Sequence, residues 1–148
     1  MPPLVRRYIK TSFLFLVAGL LIGAYILVAE FAVGRYPSRL FITAHVHLLL
    51  VGFMLMIVMG VATWMFPRPG RDDARYRPAL AEAVYWIMTL GTALRAISEV
   101  AAGVAGGDAL LRAVIVLGGS AQLVGALLFV ANMWWRVRMP VTPPPRAR

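Results

Sequence analysis

"FITAHVHLLLVGFMLMIVMGVATWMFPRP", residues 41–69, is an almost unbroken apolar run that opens on two histidines and closes on two prolines. Crossing the roughly 30 Å hydrocarbon core of a bilayer takes about 20 apolar residues in a helix. This run is long enough, and Pro67 stops it, because proline cannot continue a helix. Three more runs have the same character. The expected spans are residues 11–33, 40–66, 79–104 and 109–135, separated by "GRYPSR", "PRPGRDDARYRP" and "AGGD". The fold class they predict is an all-α membrane protein with four transmembrane helices in one domain, residues 1–137. The remainder, residues 138–148, is proline-rich and expected to be a disordered cytoplasmic tail.

Composition agrees. Of 148 residues 61% are hydrophobic and 14% charged, where an ordinary soluble domain is about a quarter charged. Mean hydropathy is +0.78. The net charge of +9 comes from cations that flank the apolar runs, so it is read as topology and headgroup contact, with no nucleic-acid partner. There is no cysteine, which excludes disulfides, Cys-ligated metal, Fe–S clusters and thioether-linked haem. The first apolar run is too long for the core of a signal peptide and is read as a retained span.

Lys and Arg collect on one side. Arg6, Arg7 and Lys10, the middle-loop Arg68, Arg71, Arg75 and Arg77, and the C-terminal arginines outnumber Arg35, Arg39 and Arg112 of the other two loops. Both termini are therefore expected in the cytoplasm, in a prokaryotic plasma membrane, with Trp64, Trp134 and Trp135 at that interface. His45 and His47 then lie about two turns inside the opposite end of the second helix.

Two positions along an α-helix is about 200° of rotation and 3 Å of rise. The imidazoles diverge, so one chain cannot close both on one metal. Two readings stay open on position alone. These are interfacial histidines satisfied by backbone or headgroups, or they are ligands serving two pockets or two halves of a pocket shared between chains.

The surrounding residues add to this. "AHVH", Met59-Gly60 and "WMFP" ending at Pro67 together resemble the second and tenth helices of subunit I of the haem-copper oxidases, the family of the cytochrome c oxidases and nitric oxide reductases. About thirty residues carry the resemblance closely; the rest matches as a four-helix pattern. In that family the His-x-His of the tenth helix serves two haems, and the subunit's twelve helices form three four-helix arcs. The resemblance implies that this chain is one such arc, and that three copies rebuild the ring. His45 of one chain and His47 of its neighbour would then hold one haem, of b type, at a subunit interface.

Further residues join on that reading. Arg95, with Glu99 one turn on, is a candidate for the haem propionates; the alternative is a plain i, i+4 ion pair. Arg39 is a second propionate candidate, or a headgroup contact. Gly52, with Gly60, is a place where a flat porphyrin could lie close to the helix. Glu30 is read as an interfacial carboxylate, Gln122 as an interhelical hydrogen-bonding residue, and Ala121 and Gly125 as a small-residue packing pair. No histidine beyond these two exists, so no oxidase-type copper centre is expected. The expected activity is electron transfer or redox sensing rather than complete terminal oxidation, with a quinol or a redox protein as partner. The alternatives are a haem protein that binds NO or O₂, and a non-catalytic subunit of a respiratory complex.

Overall fold

The structure, a computed structural model, describes residues 1–67 and 77–138. Arg68, Arg71 and Arg75 of the middle loop and residues 139–148 of the expected tail lie outside the described residues. Among the described residues there are four helices long and apolar enough to cross a membrane: α1 (Pro3–Ala32), α2 (Arg39–Met65), α3 (Pro78–Ala105) and α4 (Ala109–Trp134). A chain with no water to satisfy its backbone has few other choices, since each helix pairs its own N–H and C=O groups.

The main departure from the expected spans is α1, which starts eight residues earlier than residue 11. Pro3 sits in the first turn, where a missing N–H costs nothing. Arg6, Arg7 and Lys10 are part of the helix and not a flank. Arg7 reaches Glu82 of α3 with both terminal guanidinium nitrogens, at 2.5 and 2.8 Å. Beside it Tyr8 packs edge-on against Tyr85, and Tyr85 shares a hydrogen bond with Thr11, 2.9 Å. These contacts tie α1 to α3 at the end that carries the N-terminus.

Helix ends are closed locally. Gly34, at φ 70°, reverses the chain so that the Arg35 N–H returns to the Ala29 carbonyl, 2.8 Å. Ser38 Oγ accepts from the Leu40 N–H at the start of α2, and Asp108 Oδ1 accepts from the Leu111 N–H at the start of α4. The other end of α2 is closed from a distance. Arg136, buried just past α4, donates to the carbonyls of Thr63, Phe66 and Pro67 at 3.0, 2.7 and 3.0 Å. A cation on the last carbonyls of a helix satisfies acceptors that have no partner within it.

The helices pack in chain order, α1 on α2, α2 on α3 and α3 on α4. Tyr8, Phe15, Leu48, Met56, Met59, Val84, Tyr85 and Met88 form the core between α1, α2 and α3, to which α4 adds only partly buried side chains. α4 instead lies close along α3 through small residues. A Cβ added at Gly118 would stand 2.8 Å from the Gly91 carbonyl oxygen, and one at Gly125 2.7 Å from Met88 Sδ. The Ala121 and Gly125 spacing works as expected: Ala121 faces Gly91.

The seam makes a graded prediction. Gly118→Ala forces backbone apart and should cost about 1–3 kcal/mol, read as a lowered unfolding midpoint in detergent. Gly119→Ala meets only the guanidinium end of Arg95 at 3.0 Å, a side chain and not backbone, and should lower the midpoint less.

Candidate functional site

α2 carries the histidines in nine regular α-helical residues, Arg39–His47, and then widens into eight π-helical ones, Leu48–Leu55. Wide turns of this kind are uncommon and often accompany functional positions. The segment bearing the imidazoles is thus regular up to His47 and changes character immediately after it.

His45 faces α1. Its Nδ1 lies 2.8 Å from the Gly19 carbonyl oxygen, and its ring fills the space over Gly23, where an added Cβ would stand 2.6 Å from Cε1. His47 is turned about 200° away. Its Nδ1 lies 2.8 Å from the carbonyl oxygen of Thr43, one turn back on its own helix. Both rings are half-buried.

The chemistry of those two bonds sets the tautomers. A carbonyl oxygen accepts and never donates, so each Nδ1 carries the proton. In the neutral ring Nε2 then presents a bare lone pair. Neither Nε2 has a hydrogen-bond partner among the described residues. An imidazole whose Nδ1–H is held by a backbone carbonyl is oriented and basic at Nε2, the usual preparation of a metal ligand. The same bond also satisfies a purely structural histidine. What the structure adds is that both rings are held in this way, on opposite sides of one helix.

The other expected residues are placed as follows. Arg95 lies in the α3–α4 seam. Its Nε donates to Glu99 Oε1 at 3.0 Å, and one terminal nitrogen to Gln122 Oε1 at 3.2 Å. Gln122 in turn donates to Thr92 Oγ1, 3.2 Å, so it is the interhelical link that a buried amide was expected to be. Glu99 is 1% exposed and its second oxygen has no partner among the described residues. The i, i+4 pair is therefore present, and the second terminal nitrogen of Arg95 remains without a partner among the described residues. Neither histidine bonds to this cluster. Arg39 is exposed in the first turn of α2. Gly52 is buried in the α1–α2 seam, where Phe15 occupies the space a Cβ would need, 2.8 Å away; Tyr8 does the same at Gly60. Within one chain, both glycines thus serve helix contact.

Sequence reasoning missed Gly19 and Gly23, which seat His45. Their four-residue spacing in "GLLIG" was the available signal. Among the described residues no three His, Cys, Asp or Glu side chains gather into a metal-binding group. No protein-family model matches the chain, and neither a curated protein nor a solved structure matches it.

The Arg95–Glu99 pair makes its own prediction. Arg95→Met leaves a buried carboxylate unpaired and should cost about 3–5 kcal/mol of stability. Arg95→Met with Glu99→Gln removes both charges and should recover much of that loss in the same detergent unfolding assay. Equal losses from the single and double variants would show that the charge pair does not set the cost.

Proposed function

We propose that this chain is a membrane haem protein, with His45 and His47 as the iron ligands, for electron transfer or redox sensing. One observation carries the reading: two imidazoles with Nδ1–H on backbone carbonyls and free Nε2 lone pairs, set on opposite sides of a single helix. A bound haem would supply a one-electron couple at its iron. This chain's contribution is to orient the donors, through the Gly19 and Thr43 carbonyls, and to hold Arg95 as a cation near an anionic group. Arg95 fits that role in part, since one terminal nitrogen is unclaimed while Glu99 and Gln122 fix the rest of the guanidinium.

Because the rings diverge, two axial nitrogens on one iron require two chains. A homo-oligomer follows, and a trimer is the form suggested by the resemblance to one arc of a haem-copper oxidase subunit I. The packing of the helices in chain order, with α4 resting on α3 at the edge of the core, is compatible with a chain that finds neighbours on its flanks. The same divergence gives a second reading. One histidine per iron would leave an open position, suited to NO or O₂. The orientation proposed for the chain puts both termini in the cytoplasm.

A reduced-minus-oxidised visible spectrum of the purified, haem-replete protein tests this. Sharp α and β bands insensitive to CO fit two histidines; a CO-shifted spectrum fits one. His45→Ala and His47→Ala should each abolish or convert the signal, and co-expressing the two variants should restore a minority of sites. Absence of a Soret band would end the proposal. For orientation, a cysteine placed at Arg112 should react with an impermeant maleimide outside intact cells, and one placed at Arg71 should not.

A further inference from the structure

Away from the histidines, two cavities lie along α1. The first is a wholly apolar groove of about 570 Å³, walled by Phe15, Ala18 and Ile22 of α1 and by Ala96 and Val100 of α3, with Leu48 at its floor. It exists because α1 and α3 are joined at the N-terminal end by Arg7–Glu82 and Tyr8–Tyr85 and share few contacts beyond it. The second, about 360 Å³, lies farther along α1, where the end of α1, the α1–α2 loop and Phe41 of α2 meet Gly103 of α3. Its apolar side is Val28, Ala29, Phe41 and Gly103. Its polar side is Arg35, Ser38, Tyr25 and Tyr36. Tyr25 and Phe41 pack together there, with ring centroids 4.9 Å apart.

The polar side has a consistent sign. It holds one guanidinium and three hydroxyls and, among the described residues, no carboxylate. The Arg35 side chain has no hydrogen bond or ion pair among the described residues. Ser38 Oγ already accepts from the Leu40 N–H, so its own hydrogen is free to donate. A site of donors around a cation selects an anion with several acceptor oxygens. The groove selects the other half of the ligand. From Leu14 to Ile22 the α1 wall of the groove rises 8 residues, about 12 Å, which lies within the depth of one acyl chain in a roughly 30 Å hydrocarbon core.

We propose that this track is a binding site for an anionic phospholipid of the leaflet on the α1–α2 loop side. The phosphate sits against Arg35 and the hydroxyls of Ser38, Tyr25 and Tyr36. One acyl chain lies in the groove over Leu48. The chemistry recognised at the head is a phosphodiester, and the wholly apolar groove assigns it to a lipid and not to free phosphate. A zwitterionic lipid carries its own ammonium beside the phosphodiester and leaves the charge of the guanidinium unmatched.

Native mass spectrometry of the full chain tests the site, after exchange into detergent with phosphatidylglycerol or phosphatidylcholine. The expected result is one phosphatidylglycerol retained per chain, in preference to phosphatidylcholine, and unmoved by millimolar inorganic phosphate. Arg35→Gln should weaken phosphatidylglycerol retention about tenfold and leave phosphatidylcholine unchanged, as loss of one charge-assisted contact would. Ala18→Leu narrows the groove and should weaken both. Circular dichroism confirms that each variant remains helical, and Val100→Leu replaces Ala18→Leu if that variant does not. Equal retention of the two lipids, displacement by inorganic phosphate, or an Arg35→Gln variant indistinguishable from the parent would each overturn the proposal.

Discussion

Inside a bilayer an apolar side chain gains little by leaving lipid for protein, because both surroundings are hydrocarbon. Helices then associate through close approach and through polar groups that lipid cannot satisfy. Every seam of this fold is built under that constraint. Large side chains press into places where the facing helix has only a hydrogen: Tyr8 on Gly60, Phe15 on Gly52, Leu49 on Gly19, Phe41 on Gly103 and Met88 on Gly125. The polar links sit where they bridge helices that would otherwise only touch. Arg7–Glu82 holds α1 to α3, Gln122 holds α4 to α3, and Arg136 holds the far end of α4 to the closing turn of α2.

The candidate site is one more instance of the same construction. His45 is a large side chain over a glycine, like Phe15 and Tyr8, and it differs only in carrying a nitrogen that bonds the opposite backbone. His47 needs no neighbouring helix, since its partner is the Thr43 carbonyl of its own. The orientation of the first ring depends on α1, and that of the second on α2 alone. The π-helical segment that follows changes how the rest of α2 continues. An α-helix sustained through residue 55 would have turned Gly52 and the methionines below it to other azimuths relative to the histidines.

Much of this was legible in the sequence, for identifiable reasons. The spans follow from run length alone, and the divergence of the imidazoles from their separation by two. Arg95–Glu99 follows from a spacing of four, and the close α3–α4 approach from glycine and alanine spacing. What was not legible depends on partners far along the chain. The early start of α1 could not be read because three cations there look like a flank, and Glu82, which receives one of them, is 75 residues away. Arg136 looks like a topology signal and is buried as a helix cap. Gly52 and Gly60 look like room beside a helix, and the room is taken by α1.

The two ends of the molecule differ in how firmly the helices meet, and the candidate sites follow this difference. At the N-terminal end of α1, an ion pair, an aromatic pair and the Arg136 cap draw the helices together. Toward the α1–α2 loop no polar link joins α1 to α3 among the described residues, and the helices part around the apolar groove. The histidines, the Arg95 cluster and the donor-lined crevice all lie on this looser side. A membrane protein gains space for a bound group by withholding close contacts locally while fixing the helices elsewhere. The tight end supplies that fixing here, and it lets the histidine end carry free nitrogens, a half-claimed arginine and an open groove without losing the fold.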